Sequence, residues 1–293
     1  MLVTITGKLG SGKSTICSIL SKKAGFEVYS TGVIHRNLAK QMGIDTLALN
    51  QLMSNDSSYD LCIDNEVKRI AAQRPDDRLI FDSRLAWHFV QKSLKIFTTV
   101  DPNVAAKRVF HDQRGHEETY TDLADAVTNL RLRAKLERDR FKGMYGVDYC
   151  DYQNFDLILD STWLAPQLLA DQIIDQWEGA QGLMSPPKAE IFISPKSLYP
   201  TASLGQTFSP PSDNFRNNPL KIVCLDGFHF VTGDHEPLGT ALAADLPYVF
   251  ASLDPEATVP SQGSLDPALL LDPQSKGRFS YAGIPEAYCQ GPQ

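Results

Sequence analysis

Gly7-Lys8-Leu9-Gly10-Ser11-Gly12-Lys13-Ser14-Thr15 is the stretch that leaves this chain the fewest ways to fold. It fits G-x-x-x-x-G-K-[ST], a loop whose backbone N–H groups turn inward to cradle phosphate. Ahead of it Leu2-Val3-Thr4-Ile5-Thr6 reads as a short buried strand, and residues 16–23 behind it read as an amphipathic helix. Strand, glycine-rich loop and helix in that order bring a helix N-terminus, with its partial positive charge, against the phosphate. The spacing assigns Gly7, Gly10, Ser11, Gly12, Lys13, Ser14 and Thr15 to nucleotide binding. Lys13 then reaches the β- and γ-phosphates of a triphosphate such as ATP, and the Ser14 hydroxyl reaches its Mg²⁺.

Composition narrows the setting. With 293 residues, 42% of them hydrophobic and 22% charged, the chain is long enough for two domains or for one with a substantial appendage. No apolar run approaches the ~20 residues of a membrane helix. The sequence opens directly on the strand, so a signal peptide is not expected. Cys17, Cys62, Cys150, Cys224 and Cys289 are odd in number and scattered, with no C-x-x-C pair. That pattern reads as reduced thiols in a cytoplasmic protein, without a structural zinc site. A net charge of −7 argues against general nucleic-acid affinity but allows local basic clusters that hold phosphates.

Beyond the loop, strands alternate with helices, which implies a parallel sheet with ligands at the carboxyl ends of its strands. Residues 26–29 form a second strand ending in Ser30-Thr31-Gly32, and 33–42 a helix bearing Arg36 and Lys40. Thr31 and Arg36 therefore stand where a second substrate meets the first, although spacing alone favours a solvated helix cation for Arg36. Residues 47–53 and 61–74 are helical in pattern, broken at Asn55-Asp56-Ser57-Ser58. Residues 79–82 form an apolar strand ending in Asp82, which is placed either to hold a Mg²⁺-bound water or to cap the next turn. A strand over 94–100, a helix over 103–114, a polar break at 115–118, a long helix over 123–141, a strand over 155–160 and a helix over 166–177 complete this part. The long helix carries Arg131, Arg133, Arg138 and Arg140. Arg133 and Arg140, seven apart, share one face. They are either a solvated face paired with Glu137 and Asp139 or cations that close over transferring phosphates.

Taken together, several segments resemble the cytidylate kinases, particularly the short-form type known from archaea. These are Gly10 through Thr15, Tyr29-Ser30-Thr31-Gly32-Val33-Ile34-His35-Arg36, Phe81-Asp82-Ser83-Arg84-Leu85-Ala86, Arg133 with Arg140-Phe141-Lys142-Gly143-Met144-Tyr145-Gly146-Val147-Asp148, and Tyr152 with Asp156-Leu157-Ile158-Leu159-Asp160. The resemblance covers about residues 1–178 and implies an α/β P-loop nucleoside monophosphate kinase fold, a parallel sheet flanked by helices, in a domain over 1–179. It implies ATP-dependent transfer to CMP or dCMP. Lys13 and Ser14 would serve ATP and Mg²⁺, Thr31, Arg36 and Arg84 the acceptor, and Arg133 and Arg140 the transferring group. Ser83 stands where the family usually has glycine, and His35 where a small or hydrophobic residue is common.

Residues 180–188 read as a linker, with Pro186-Pro187 at its end. Over 189–253 a small α+β domain is expected. Strands at 220–225 and 228–231 are separated by the hairpin signal Asp226-Gly227, and Gly233-Asp234-His235-Glu236 leads into a short helix. This part resembles the ParB/sulfiredoxin-like domain in outline, but Glu236 and Pro237 occupy positions where that family commonly has His and Arg. His235 reads as a surface-loop histidine, and the domain as a regulatory or partner-binding appendage. Residues 254–293, rich in Pro, Gly, Ser, Asp and Gln, read as a flexible tail. Two other functions fit the same residues: a nucleotide-sensing protein without turnover, and a kinase of another small phosphate or hydroxyl acceptor.

Overall fold

Leu2–Gly7 is buried along its whole length and forms β1. A strand buried on both faces is what a parallel sheet covered by helices on each side requires. A computed structural model describes residues 1–112, 120–180, 189–202, 204, 208–225 and 228–257. The polar break at 115–118, the proline linker, the Asp226-Gly227 turn and the chain beyond 257 lie outside the described residues.

The chain divides into two compact units, Met1–Ile158 with Ala165–Lys188, and Leu159–Leu164 with Ala189–Gln293. In the first, β2 (Glu27–Ser30), β3 (Leu79–Asp82), β1 and β4 (Ser93–Thr99) lie in that order, all parallel. Helices α1 (Lys13–Ala24), α2 (Thr31–Met42), α3 (Thr46–Asn55), α4 (Ser58–Gln73), α5 (Ala86–Phe89), α6 (Pro102–His111), α7 (Leu123–Tyr145) and α8 (Pro166–Gly179) surround the strands, and α1 packs on α8. Phe26 meets Trp177 edge to face at 5.1 Å, and the Trp177 indole N–H donates to Met1 O at 2.7 Å. β5 (Leu157–Asp160) follows α7, and its entry is fixed by the Asp156 N–H donating to Lys95 O at 2.8 Å.

Element ends follow local chemistry. α3 starts on Asp45, whose carboxylate accepts the Ala48 N–H at 2.7 Å, and α7 on Asp122, which accepts the Asp125 N–H at 2.8 Å. α7 runs four residues past the expected end at Phe141 and stops at Gly146, at φ 69°. No strong breaker intervenes, because Gly143 sits in open space and only lowers helix propensity. Since the strands are parallel, β1, β2 and β3 all end on one side. Ser30 stands opposite Asp82, and Asp82 opposite Ile5.

The second unit holds a mixed sheet in the order β6 (Glu190–Ile193), β10 (Val249–Leu253), β8 (Leu220–Leu225), β9 (Phe228–Val231), β7 (Leu198–Pro200), with α9 (Glu236–Ala243). β8 and β9 are antiparallel with Leu225 opposite Phe228, while β10 with β8 and β7 with β9 are parallel. His235 is not a surface-loop residue. It is 6% exposed, its Nδ1 faces Gly233 O at 2.8 Å, and its Nε2 accepts the Thr201 N–H at 3.0 Å. That arrangement fixes the Nδ1–H tautomer and ties the loop before α9 to the end of β7. Asp254, expected in the tail, donates its N–H to Ile222 O at 2.9 Å and accepts the Thr232 hydroxyl at 2.7 Å. No helix among the described residues is long and apolar enough to cross a membrane.

Candidate active site

The loop between β1 and α1 is braced from beneath. A Cβ at Gly7 would lie 2.1 Å from Thr98 Oγ1, so the loop approaches β4 more closely than any side chain permits. Ser11 is buried, its hydroxyl donating to Lys8 O at 2.7 Å and lying 2.8 Å from Thr98 Oγ1. Only the Ser11 backbone remains for a ligand. Gly12 is different, since at φ 78° it starts α1 with open space around it. No side chain caps α1, so the N–H groups of its first turn are left for an anion. Ser14 and Thr15, on that turn, are exposed.

Lys13 Nζ donates to Gly7 O at 3.1 Å and Lys8 O at 3.0 Å, folded back over its own loop. Burial and the nearby Arg84 guanidinium lower it to about 7. Arg84, just after β3, donates from Nη1 to the same Gly7 O at 2.8 Å and from Nε to Glu137 Oε2 at 2.8 Å. From α7, Arg133 donates to Glu137 Oε1 at 3.1 Å and to Thr46 Oγ1 at 3.2 Å. Burial opposes the charge on Glu137, but Arg84 and Arg133 outweigh it and hold the carboxyl well below the usual carboxylate range. Arg140, two turns along, donates from Nη1 to Asn50 Oδ1 at 3.0 Å, and its Nε stands 2.9 Å from Asp60 Oδ2 without an aligned hydrogen bond.

These groups line one cleft of about 470 Å³. Gly10 through Thr15, Thr31, Arg36, Asp82, Arg84, Arg133 and Arg140 all contribute to its wall. Asp82 is buried and accepts the Ser30 hydroxyl at 2.8 Å, and Thr31 Oγ1 donates to Asp82 O at 3.3 Å. The N–H groups of the first turn of α1 and the cations Lys13, Arg36, Arg84, Arg133 and Arg140 face one space, an arrangement suited to holding several phosphates at once.

A model of the cytidylate kinase-like family matches residues 2–163. This chain belongs to that family. The cytidylate kinase of Sulfolobus acidocaldarius is 34% identical over 176 residues, covering 59% of this chain and 92% of that protein. That of Haloarcula marismortui is 32% identical over 169 residues, covering 57% and 84%. Among solved structures, shikimate kinase from Bacteroides thetaiotaomicron aligns over 62% of this chain and 99% of its own, at TM-score 0.43 and 12% identity.

Within this cytidylate kinase-like chain, sequence reasoning left several cleft residues unassigned. Glu137 was open to a solvated-face role, yet it is 5% exposed and Arg133 9%. Its spacing, four after Arg133 and three before Arg140, carried the signal, because all three fall on one helix face. Asp60 and Asp64 on the cleft wall were also missed, as were Asn50 and Tyr145, the hydrogen-bond partners of Arg140 and Asp64. Asp60 and Asp64 are buried, and Tyr145 O–H donates to Asp64 Oδ2 at 2.6 Å. His35 lines the cleft with both ring nitrogens shielded and unpartnered. Burial first, then Arg133, lowers it to about 4, so it stands neutral. Arg138, by contrast, is exposed and paired with Asp148, and Arg131 is exposed.

Proposed function

We propose that this chain transfers the γ-phosphoryl group of ATP to CMP or dCMP. The observation that carries the reading is the meeting of Lys13, Arg84, Arg133 and Arg140 around the phosphate loop, in a family whose relatives are named cytidylate kinases. Two nucleotides brought phosphate to phosphate present several negative charges. Phosphoryl transfer is accelerated mainly by positioning and by neutralising that charge in a water-poor site. Lys13 would leave its two carbonyls for the β- and γ-phosphates. Thr31, Arg36 and Arg84 would hold the acceptor phosphate, with Arg133 and Arg140 meeting the group in flight.

Among the described residues no group of three or more His, Cys, Asp or Glu side chains is arranged to hold a metal. The donors present suit Mg²⁺ nonetheless, since that ion keeps several waters and is held by one or two protein oxygens plus nucleotide phosphates. Ser14, exposed on the first turn of α1, and Asp82, at the end of β3, would supply those oxygens. The chemistry the ion would supply there is neutralisation of phosphate charge. Residues 189–253 we read as an appendage for a regulatory ligand or a protein partner.

The test is an acceptor screen with ATP and the purified chain, following ADP release. CMP and dCMP should be the best acceptors. Nucleotide binding without turnover of any monophosphate would favour the sensing role, and turnover of a non-nucleotide acceptor alone would reassign the substrate.

A further inference from the structure

Helix α3 buries two polar side chains, Thr46 and Asn50, 3% and 0% exposed. They stand one turn apart, on the face that also buries Leu49 and Met53. A buried hydroxyl or amide needs a partner, and here the partners come from α7. Arg133 Nη1 donates to Thr46 Oγ1 at 3.2 Å. Arg140 Nη1 donates to Asn50 Oδ1 at 3.0 Å and to Asn50 O at 3.4 Å. The Asn50 amide is itself fixed, because its Nδ2 donates to Thr46 O at 2.7 Å and its oxygen is thereby turned to Arg140. Each contact from α3 falls on Nη1, so the helix pins one corner of each planar fork. Both acceptors are neutral. Glu137 and Asp60, beside the same two guanidiniums, offset their charge, whereas Thr46 and Asn50 fix direction and leave the charge in place. Helix α3 also packs on α2, where Ala39 clusters with Leu49 and Met53. Since α2 carries Thr31 and Arg36, the two arginines are tied to the same body as the proposed acceptor contacts.

We propose that Thr46 and Asn50 are positioning residues for phosphoryl transfer, aiming Arg133 and Arg140 at the transferring group. The proposal rests on the kinase reading of this cleft. An arginine side chain has a long, flexible stem. Its guanidinium stabilises a transition state best when the N–H groups already point to where charge will develop. A misplacement of about 1 Å can cost about a hundredfold in rate. Arg133 keeps its bond to Glu137 when Thr46 is changed, so a smaller loss is expected from that position alone.

The experiment is a double-mutant cycle on kcat of the full chain, following ADP release at saturating ATP and CMP. Thr46→Val keeps the shape and removes the hydroxyl. It should lower kcat about tenfold with KM for ATP held within about threefold, and Thr46→Ser should keep kcat within about twofold of the native value. In the Arg133→Ala background, Thr46→Val should cost less than about twofold, because no guanidinium remains to be aimed. Asn50→Leu should show the same pattern against Arg140→Ala. Thr46→Ala, which favours a helix more than valine does, replaces Thr46→Val if that variant fails to fold. A loss of equal size with and without Arg133, a Thr46→Ser variant as impaired as Thr46→Val, or a Thr46→Val kcat within about twofold of native would overturn the positioning role while leaving the kinase standing. No ADP release by the native chain with CMP or any other acceptor would instead overturn the kinase reading, and this inference with it.

Discussion

Glu137 Oε2 accepts the Arg84 Nε–H at 2.8 Å, joining the α7 helix to the end of β3. Its other oxygen accepts from Arg133, so one buried carboxylate holds two of the cleft's cations at a set separation. Glu137→Gln removes the charge and leaves two guanidiniums facing each other. Breaking a buried ion pair from one side typically destabilises by about 3–5 kcal/mol. Urea unfolding should show a loss of that order, with kcat falling as well. A change under about 1 kcal/mol would mean that the pair behaves as an exposed one.

Lys13→Ala should lower kcat about a hundredfold or more, because on the proposed reading it removes the loop cation that meets the β- and γ-phosphates. Lys13 also predicts a proton. Its value of about 7 in the free cleft leaves it mostly neutral at pH 8, and a bound triphosphate favours the ammonium. ATP binding at pH 8 should then take up about one proton, read as a slope of that size when calorimetric enthalpy is plotted against buffer ionisation enthalpy. Lys13→Met should flatten the plot. The same shift carries a stability sign. The folded state binds fewer protons than the unfolded one between pH 7 and 10.5, so this group favours folding increasingly as pH rises through that window.

Arg133→Ala should lower kcat about a hundredfold with KM for ATP nearly unchanged, the pattern of an interaction made in the transition state. Arg140 has a structural share as well, since its removal leaves Asp60 buried without its ion-pair partner. Arg140→Lys keeps that charge while losing the planar fork, and should retain stability better than Arg140→Ala. Arg131→Ala and Arg138→Ala serve as controls. Both side chains are exposed, and each change should cost under about 1 kcal/mol and leave kcat within about twofold. Equal losses at all four positions would reduce the cluster to general electrostatics.

His35 should make the protein sensitive to mild acid. Its folded value of about 4 lies below the ordinary 6.5, so as pH falls through that interval the unfolded state takes the proton first and stability is lost. Asp60, raised to about 6, works the other way, favouring the folded state as pH falls. A comparison of variants separates them. Relative to the native chain, His35→Phe should gain about 3 kcal/mol between pH 7 and pH 4, measured by urea unfolding at each pH. A constant difference across that range would show that His35 does not titrate in isolation from its surroundings.

What the sequence determined by itself was everything written in short-range pattern. The phosphate loop is legible because one strand, one loop and one helix are contiguous, and its residue spacing can be read within nine residues. Strand and helix order follows from apolar periodicity, and the shared face of Arg133 and Arg140 from the helical repeat. What only the tertiary structure decided was which charges leave water and which partner each one meets there. Arg133 and Arg138 look alike in sequence, yet the first is buried against Glu137 and Thr46 while the second lies on the surface with Asp148. Arg84 meets Glu137 across 53 residues of chain, Arg140 meets Asn50 across 90, and Thr201 meets His235 across 34. Such pairings depend on how helices and strands pack. A carboxylate's burial is a property of the assembled wall around it, and no local spacing encodes that wall.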